Sequence, residues 1–245
     1  MPIAGVLSWD RCDPEALLGR GLSAAKTHPD EECRVWGSQI QGIAVGVLGR
    51  SGLSGPDEFH RLEERDIALA TRFPRLLKDQ SIYEVVAQAD GDKATLWEAV
   101  HKASARFGDW YALIGTCGAT LVGARDPIGQ CPLFFGSTSE LHAFSSTRKA
   151  LWAMGISRPQ VFPSGVAAEF SIGMQRCKRT ANPHIPALSS LPIEKAANIL
   201  SALTCTSIKE VGGTTGRVGI LFSGGLDSSA IAAAAQNLGL KTYLY

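Results

Sequence analysis

One segment constrains this chain more than any other. The apolar run Val218-Gly219-Ile220-Leu221-Phe222 passes through Ser223-Gly224-Gly225-Leu226-Asp227-Ser228-Ser229 into an alanine-rich stretch. The run has the length of a buried strand, and Ser228 to Leu238 reads as a helix capped by Gly239. Thr242-Tyr243-Leu244-Tyr245 begins a second strand. Strand, helix and strand joined by short turns predict a parallel βαβ unit. Two glycines at the strand exit let the backbone turn tightly and bring N–H groups close to an oxyanion. The new helix adds unpaired N–H groups and the positive end of its dipole. Ser223, Ser228 and Ser229 offer hydroxyls to phosphate oxygens. Asp227 repels phosphate, so it fits either as a helix cap or as a ligand of the magnesium that accompanies ATP. The expected cofactor-binding set is Leu221, Ser223, Gly224, Gly225, Leu226, Asp227, Ser228 and Ser229, with Asp227 on the metal. Leu221 has two readings, contact with the nucleoside or burial beneath the sheet.

No Gly-Lys-Ser/Thr follows the glycines, so the loop is not a Walker A element. It resembles the PP-loop of the adenylating ATP pyrophosphatases, in the S-G-G-L-D-S-S form of asparagine synthetases. Two other glycine clusters carry less weight. Gly212-Gly213-Thr214-Thr215-Gly216 precedes a strand and reads as a connection, and Gly46 to Gly52 has no helix after it. The five histidines are scattered without partners at ligand spacing.

The first 180 residues follow a different pattern of short strands with few helices. Ile43 to Leu48 predicts a buried strand and Phe59 to Leu77 a helix broken near Pro74. Ile82 to Ala87 predicts a strand. Leu96, Ala99, Val100, Ala103 and Phe107 place a helix over 94–107, ended by Gly108. Tyr111–Ile114 and Thr120–Ala124 flank a hairpin turn at Cys117-Gly118. Leu133–Phe135 and Leu141–Phe144 flank another at Ser137-Thr138-Ser139. Thr147 to Met154 is a short helix stopped by Gly155. Pro183, Pro186 and Pro192 mark a linker, and Ile193 to Ile208 reads as a helix with Leu200 and Leu203 inward. The domains expected are 1–182 and 190–245.

The segment Ala124-Arg125-Asp126-Pro127-Ile128-Gly129-Gln130-Cys131-Pro132-Leu133-Phe134-Phe135-Gly136 is similar to R-D-P-x-G-x-R-P-L-Y-Y-G of class B asparagine synthetases, with Cys131 where the family usually has Arg. Ala143 to Leu151 resembles the F-A-S-E-x-K-A-L that follows, and Phe162-Pro163-Ser164-Gly165 the later F-P-P-G. With the loop, the resemblance covers residues 107–245 well and 1–106 weakly. It implies an α+β, N-terminal nucleophile (Ntn) type α-β-β-α sandwich, followed by the start of an α/β PP-loop domain. In the family the first domain releases ammonia from glutamine with an N-terminal cysteine, whose own amino group can serve as base. Here Met1-Pro2-Ile3-Ala4-Gly5-Val6 lines up with M-C-G-I-A-G-V, and Pro2 brings no nucleophile. The family's N-G-E-I-Y-N segment has no counterpart between residues 48 and 90. The resemblance therefore implies no catalytic residue in the N-terminal domain. β-Lactam synthetases and lasso-peptide cyclases share that condition and close an amide with a substrate amine.

The expectation that follows is ATP- and Mg²⁺-dependent amide formation through an acyl-adenylate, from a small-molecule or peptide carboxylate and an amine or free ammonia. The alternative is a nucleotide-binding pseudo-enzyme or a subunit needing a partner chain. The family's segments that hold the adenine and the acyl substrate lie beyond Tyr245, so a homo-oligomer or a complex is expected. A formal net charge of +1 gives no reason to expect nucleic acid as partner. No run approaches the roughly 18 apolar residues of a membrane span. Cysteines 12, 33, 117, 131, 177 and 205 form no C-x-x-C pair and fit a reducing cytoplasm.

Overall fold

The computed structural model describes residues 1–9, 12–50, 59–62, 67–72, 100, 111–180, 191–212 and 215–245. The chain divides into two compact units, Met1–His184 and Ile185–Tyr245.

The first unit opens with β1 (Ile3–Ser8), buried along its whole length, and α1 (Pro14–Ala24). Asp13 caps α1 by accepting from the amides of Glu15 and Ala16 at 2.9 and 3.3 Å, and Pro14 stands in the first turn, where a missing N–H costs nothing. Strands β2 (Glu31–Ser38), β3 (Ile43–Arg50), β4 (Phe59–Leu62) and β5 (Ile67–Arg72) follow. Further on come β6 (Ala112–Cys117), β7 (Thr120–Arg125), β8 (Phe134–Ser137) and β9 (Leu141–Ser145). Helix α2 (Arg148–Ala153), capped by Thr147, leads to β10 (Gln160–Val161), β11 (Val166–Ser171) and β12 (Met174–Arg179).

These strands form two antiparallel sheets, ordered β10-β8-β9-β1-β3-β2 and β12-β11-β7-β6-β5-β4. Alternation assigns their faces. Ile3, Leu7, Ile43, Val45, Val47 and Phe144 of the first sheet meet Ala68, Ala70, Ile114, Leu121, Ala168 and Phe170 of the second in one core. Ala4, Val6, Ala44, Leu48 and Ala143 point the other way, onto Leu17, Leu18 and Leu22 of α1 and Leu151 and Met154 of α2. Each fully buried large side chain here contributes about 1.5–3 kcal/mol. The sheets approach closely where they lack side chains: a Cβ on Gly123 would stand 2.6 Å from the Phe144 ring, and one on Gly5 would stand 2.5 Å from Ile114 Cγ2.

The hairpins at 117–118 and 137–139 form as expected, as does the short helix that Gly155 ends at φ +94°. The helix expected over Phe59 to Leu77 is not found. The described part of that stretch is β4 and β5, because β5 pairs in register with β6, from Ile67↔Cys117 to Arg72↔Ala112. The expected strand at 82–87, the helix over 94–107 other than the buried Val100, and the linker expected over about 180–190, apart from Thr180, lie outside the described residues.

The second unit holds α3 (Ile193–Gly212), β13 (Arg217–Ile220), α4 (Leu226–Asn237) and β14 (Lys241–Leu244). Strands β13 and β14 are parallel, registered from Arg217↔Lys241 to Ile220↔Leu244, with α4 as their crossover. Val218, Ile220 and Ala235 form the core, with Ile208, Ala232 and Leu240 packed on it. Leu200 and Leu203, expected inward, are 65% and 61% exposed. Helix α3 packs on this core near its C-terminal end, through Ile208 and at Gly212, where a Cβ would lie 2.8 Å from both Leu240 and Val218.

Candidate functional site

The loop from Leu221 to Gly225 leaves the carboxyl end of β13 and enters α4. Both of its ends are fixed by backbone bonds. Phe222 N donates to Tyr245 O at 2.9 Å, just past the ends of the paired strands, and Ser229 N donates to Gly225 O at 3.0 Å as the helix begins. Between them the chain turns at Gly224, whose φ of +76° lies in the left-handed region that a side chain disfavours.

Gly225 is the N-cap of α4, with φ −77° and no side-chain cap. Asp227 is the second residue of the helix and not its cap, which leaves its exposed carboxylate available. The amides of Leu226, Asp227 and Ser228 precede the first helical bond and, by helix geometry, point out of the helix end. Every side chain from Leu221 to Asp227 is exposed, and those of Ser228 and Ser229 are half-buried. Leu221, at 87% exposure, is not beneath the sheet. The structure thus gathers all eight expected residues into one open strand-to-helix corner.

The serine hydroxyls are ordered. Gly225 N donates to Ser223 Oγ at 3.3 Å, Ser228 Oγ donates to Gly225 O at 3.1 Å, and the two hydroxyl oxygens lie 3.1 Å apart. Chemically the corner offers N–H and O–H donors at a helix N-terminus, the donor set of a phosphate site. It offers one carboxylate for a cation. Among the described residues, no group of three His, Cys, Asp or Glu side chains comes together, so the chain builds no all-protein metal cage there. A single carboxylate fits magnesium, which is ordinarily held by one or two carboxylates together with substrate phosphates.

In the first unit, Arg125 and Asp126 organise the turn that leads from β7 toward β8. Asp126, 1% exposed, accepts from the amides of Ile128, Gly129 and Gln130 on Oδ1 and of Cys131 on Oδ2. Arg125 donates Nε to Cys131 O and Nη1 to Phe162 O, both at 2.7 Å, and Nη2 to Gly129 O. Sequence reasoning singled out this pair but not its task, which is to hold backbone together. The tie between Phe222 and Tyr245 was missed too, since it exists only once β13 and β14 pair in parallel.

At the start of β1, Pro2 O accepts from Leu48 N at 2.8 Å, and Ile3 N donates to Ser146 Oγ at 2.9 Å. Met1 packs its side chain on the core between the sheets. No helix among the described residues is long and apolar enough to cross a membrane.

Comparison with known proteins gives one family match inside the second unit and structural likenesses over the whole chain. The asparagine synthase family matches residues 206–243, a span that contains the whole loop from Ser223 to Ser229. No curated protein matches the chain. Among solved structures, glutamine phosphoribosylpyrophosphate amidotransferase from B. subtilis, complexed with ADP and GMP, is similar at 13% identity and a TM-score of 0.58. That likeness covers 100% of this chain and 65% of the other. A structure of the allosteric regulatory enzyme of purine biosynthesis is similar at 12% identity and a TM-score of 0.59, over 100% of this chain and 64% of that one. The chain therefore spans just under two thirds of the length of both. At such identities the likeness shows fold alone: antiparallel sheets and helices in the α+β arrangement of Ntn-type glutamine amidotransferases.

Proposed function

We propose that the corner from Leu221 to Ser229 is a PP-loop that binds Mg²⁺·ATP, and that the chain serves ATP-dependent amide formation through an acyl-adenylate. The observation that carries this reading is the coincidence of the asparagine synthase match with a turn at the carboxyl end of a parallel strand, where the amides of Leu226, Asp227 and Ser228 point out of the helix end. Ligands of open parallel sheets bind at that end. In the reaction, a carboxylate oxygen attacks the α-phosphorus of ATP, the bond to the β-phosphate bridging oxygen breaks, and pyrophosphate leaves. An amine then displaces AMP. Gly224, Gly225, Ser223, Ser228, Ser229 and the Leu226 amide receive the pyrophosphate, so their part is to stabilise charge on the leaving group. Asp227 would hold the magnesium, which would neutralise charge on the phosphates, and Leu221 would be available to the nucleoside.

The first unit, on this reading, keeps the amidotransferase fold without glutaminase chemistry. Pro2 precedes β1 and Ile3 opens it, and neither carries a nucleophilic side chain. The nitrogen therefore comes from a substrate amine or from free ammonia. The cytoplasm is the expected compartment.

The test is displacement of a fluorescent ATP analogue in the presence of magnesium. Pyrophosphate should compete with it, whereas AMP at the same concentration should compete poorly. Displacement by AMP and not by pyrophosphate would place the phosphates elsewhere. Glutamate release from glutamine should stay at background, and sustained release would restore a glutaminase.

A further inference from the structure

The two serines on either side of the turn hold each other. Ser223 Oγ lies 3.1 Å from Ser228 Oγ, and Ser228 Oγ is 3.1 Å from Gly225 O. A serine hydroxyl has one hydrogen to donate. With the Ser228 hydrogen on the Gly225 carbonyl, the bond between the hydroxyls takes the Ser223 hydrogen. Ser223 Oγ in turn accepts from Gly225 N at 3.3 Å. Both hydroxyl hydrogens that a phosphate oxygen would seek are thus committed within the loop. The asparagine synthase match over residues 206–243 is independent of these bonds and marks the same segment.

Resting on the phosphate reading above, we propose that the Ser223–Ser228 bond is a latch, which a bound pyrophosphate opens by taking both hydroxyl hydrogens in exchange. Ser228 sits in the first turn of α4, and Ser223 sits on the strand side of the turn at Gly224. Opening the bond lets the strand side and the helix side of the loop each face the anion. Affinity is then the gain from two new contacts less the loss of two old ones, the latch and the bond from Ser228 Oγ to Gly225 O, of which only the latch is shared by both serines.

That balance has a signature which neither independent ligands nor a purely structural pair produces. Removing one serine forfeits a contact to the anion, but it also removes the latch that the anion had to break, so the loss is partly offset. Removing both forfeits two contacts, while the latch is removed only once. The double variant must therefore lose more affinity than the product of the two single losses, by the worth of one exposed hydrogen bond, roughly two- to tenfold.

The experiment is calorimetric titration of magnesium pyrophosphate into the full chain and into Ser223→Ala, Ser228→Ala and the double variant, with melting curves to confirm folding. Ser228→Thr, which keeps a hydroxyl, extends the series and should stay within about twofold of the parent. An excess loss in the double variant is the expected result. Losses that multiply, or a double variant no worse than the poorer single one, would overturn the latch and leave the phosphate reading standing. Failure of the unsubstituted chain to bind pyrophosphate would remove that reading, and the latch with it.

Discussion

The amide of Phe222 donates to the carbonyl of Tyr245 across 2.9 Å, and the amide of Tyr245 donates to Ile220 at 3.0 Å. The parallel pairing thus continues one step past the ends of β13 and β14. It fixes the point at which the chain leaves the sheet and leaves the turn itself to Gly224. Phosphate-binding corners depend on this division, because donors can be preorganised only if the backbone that carries them starts from a fixed point.

Gly224 and Gly225 should therefore respond differently to the same substitution. A Cβ on Gly224 meets nothing within 4 Å, and one on Gly225 meets only Ser223 Oγ, at 3.3 Å, so that side chain would have to give by a few tenths of an ångström. Gly224 has φ +76°, however, so Gly224→Ala is expected to cost about 1–2 kcal/mol. Gly225→Ala, at φ −77°, carries no such strain and should cost less, about 0.5–1 kcal/mol, the difference between glycine and alanine at an N-cap. Denaturant melts followed by far-ultraviolet circular dichroism check the order, and equal losses would contradict it.

Asp126→Ala should be the most damaging substitution in the first unit. The buried carboxylate accepts from four backbone amides, and alanine would remove all four of those bonds. A loss of about 3 kcal/mol or more is expected. Arg125→Lys should also destabilise, since an ammonium cannot present the planar fork that reaches three carbonyls at once. Chemical denaturation measures both, and a change below about 1 kcal/mol for Asp126→Ala would refute its role.

His142 should make stability depend on pH. Burial lowers its imidazole from the ordinary value of 6.5, with Ser137 Oγ at 2.6 Å from Nδ1 and the Trp9 and Phe170 rings on either side. The folded state binds the proton less readily than the unfolded chain. The stability contributed by the neutral ring is therefore present in full above about pH 6.5 and falls as the pH drops toward the lowered value. Melting temperature followed from about pH 7.5 to about pH 5 should fall more steeply in the parent than in His142→Asn. Parallel profiles would remove His142 from the explanation.

Local signals were legible in the sequence, and those that depend on distant partners were not. The hairpin at Cys117-Gly118, the helix over Arg148–Ala153 and the βαβ unit are each specified within a few residues of themselves, by a left-handed glycine, a threonine cap or an apolar run. The stretch Ile67-Ala68-Leu69-Ala70 has residues that suit a helix, yet it is a strand, because its partners over Ala112–Cys117 lie far along the chain. Leu200 and Leu203 were misplaced for a related reason. The helix is real, but which of its turns meets the sheet depends on Val218 and Leu240. At the candidate site the donor residues were evident from their order. The hydroxyl bond between Ser223 and Ser228 and the anchor at Tyr245 depend on geometry that no spacing encodes.

Titration of Mg²⁺·ATP into the purified chain measures directly whether the loop from Leu221 to Ser229 binds nucleotide. A saturable isotherm is expected, with affinity at least about tenfold weaker for Asp227→Ala, which removes the cation's carboxylate, and for Gly225→Val, whose branched side chain crowds the turn. Binding should also fall when magnesium is omitted. An isotherm unchanged by both substitutions, or no binding at all, would contradict the assignment of this corner to ATP.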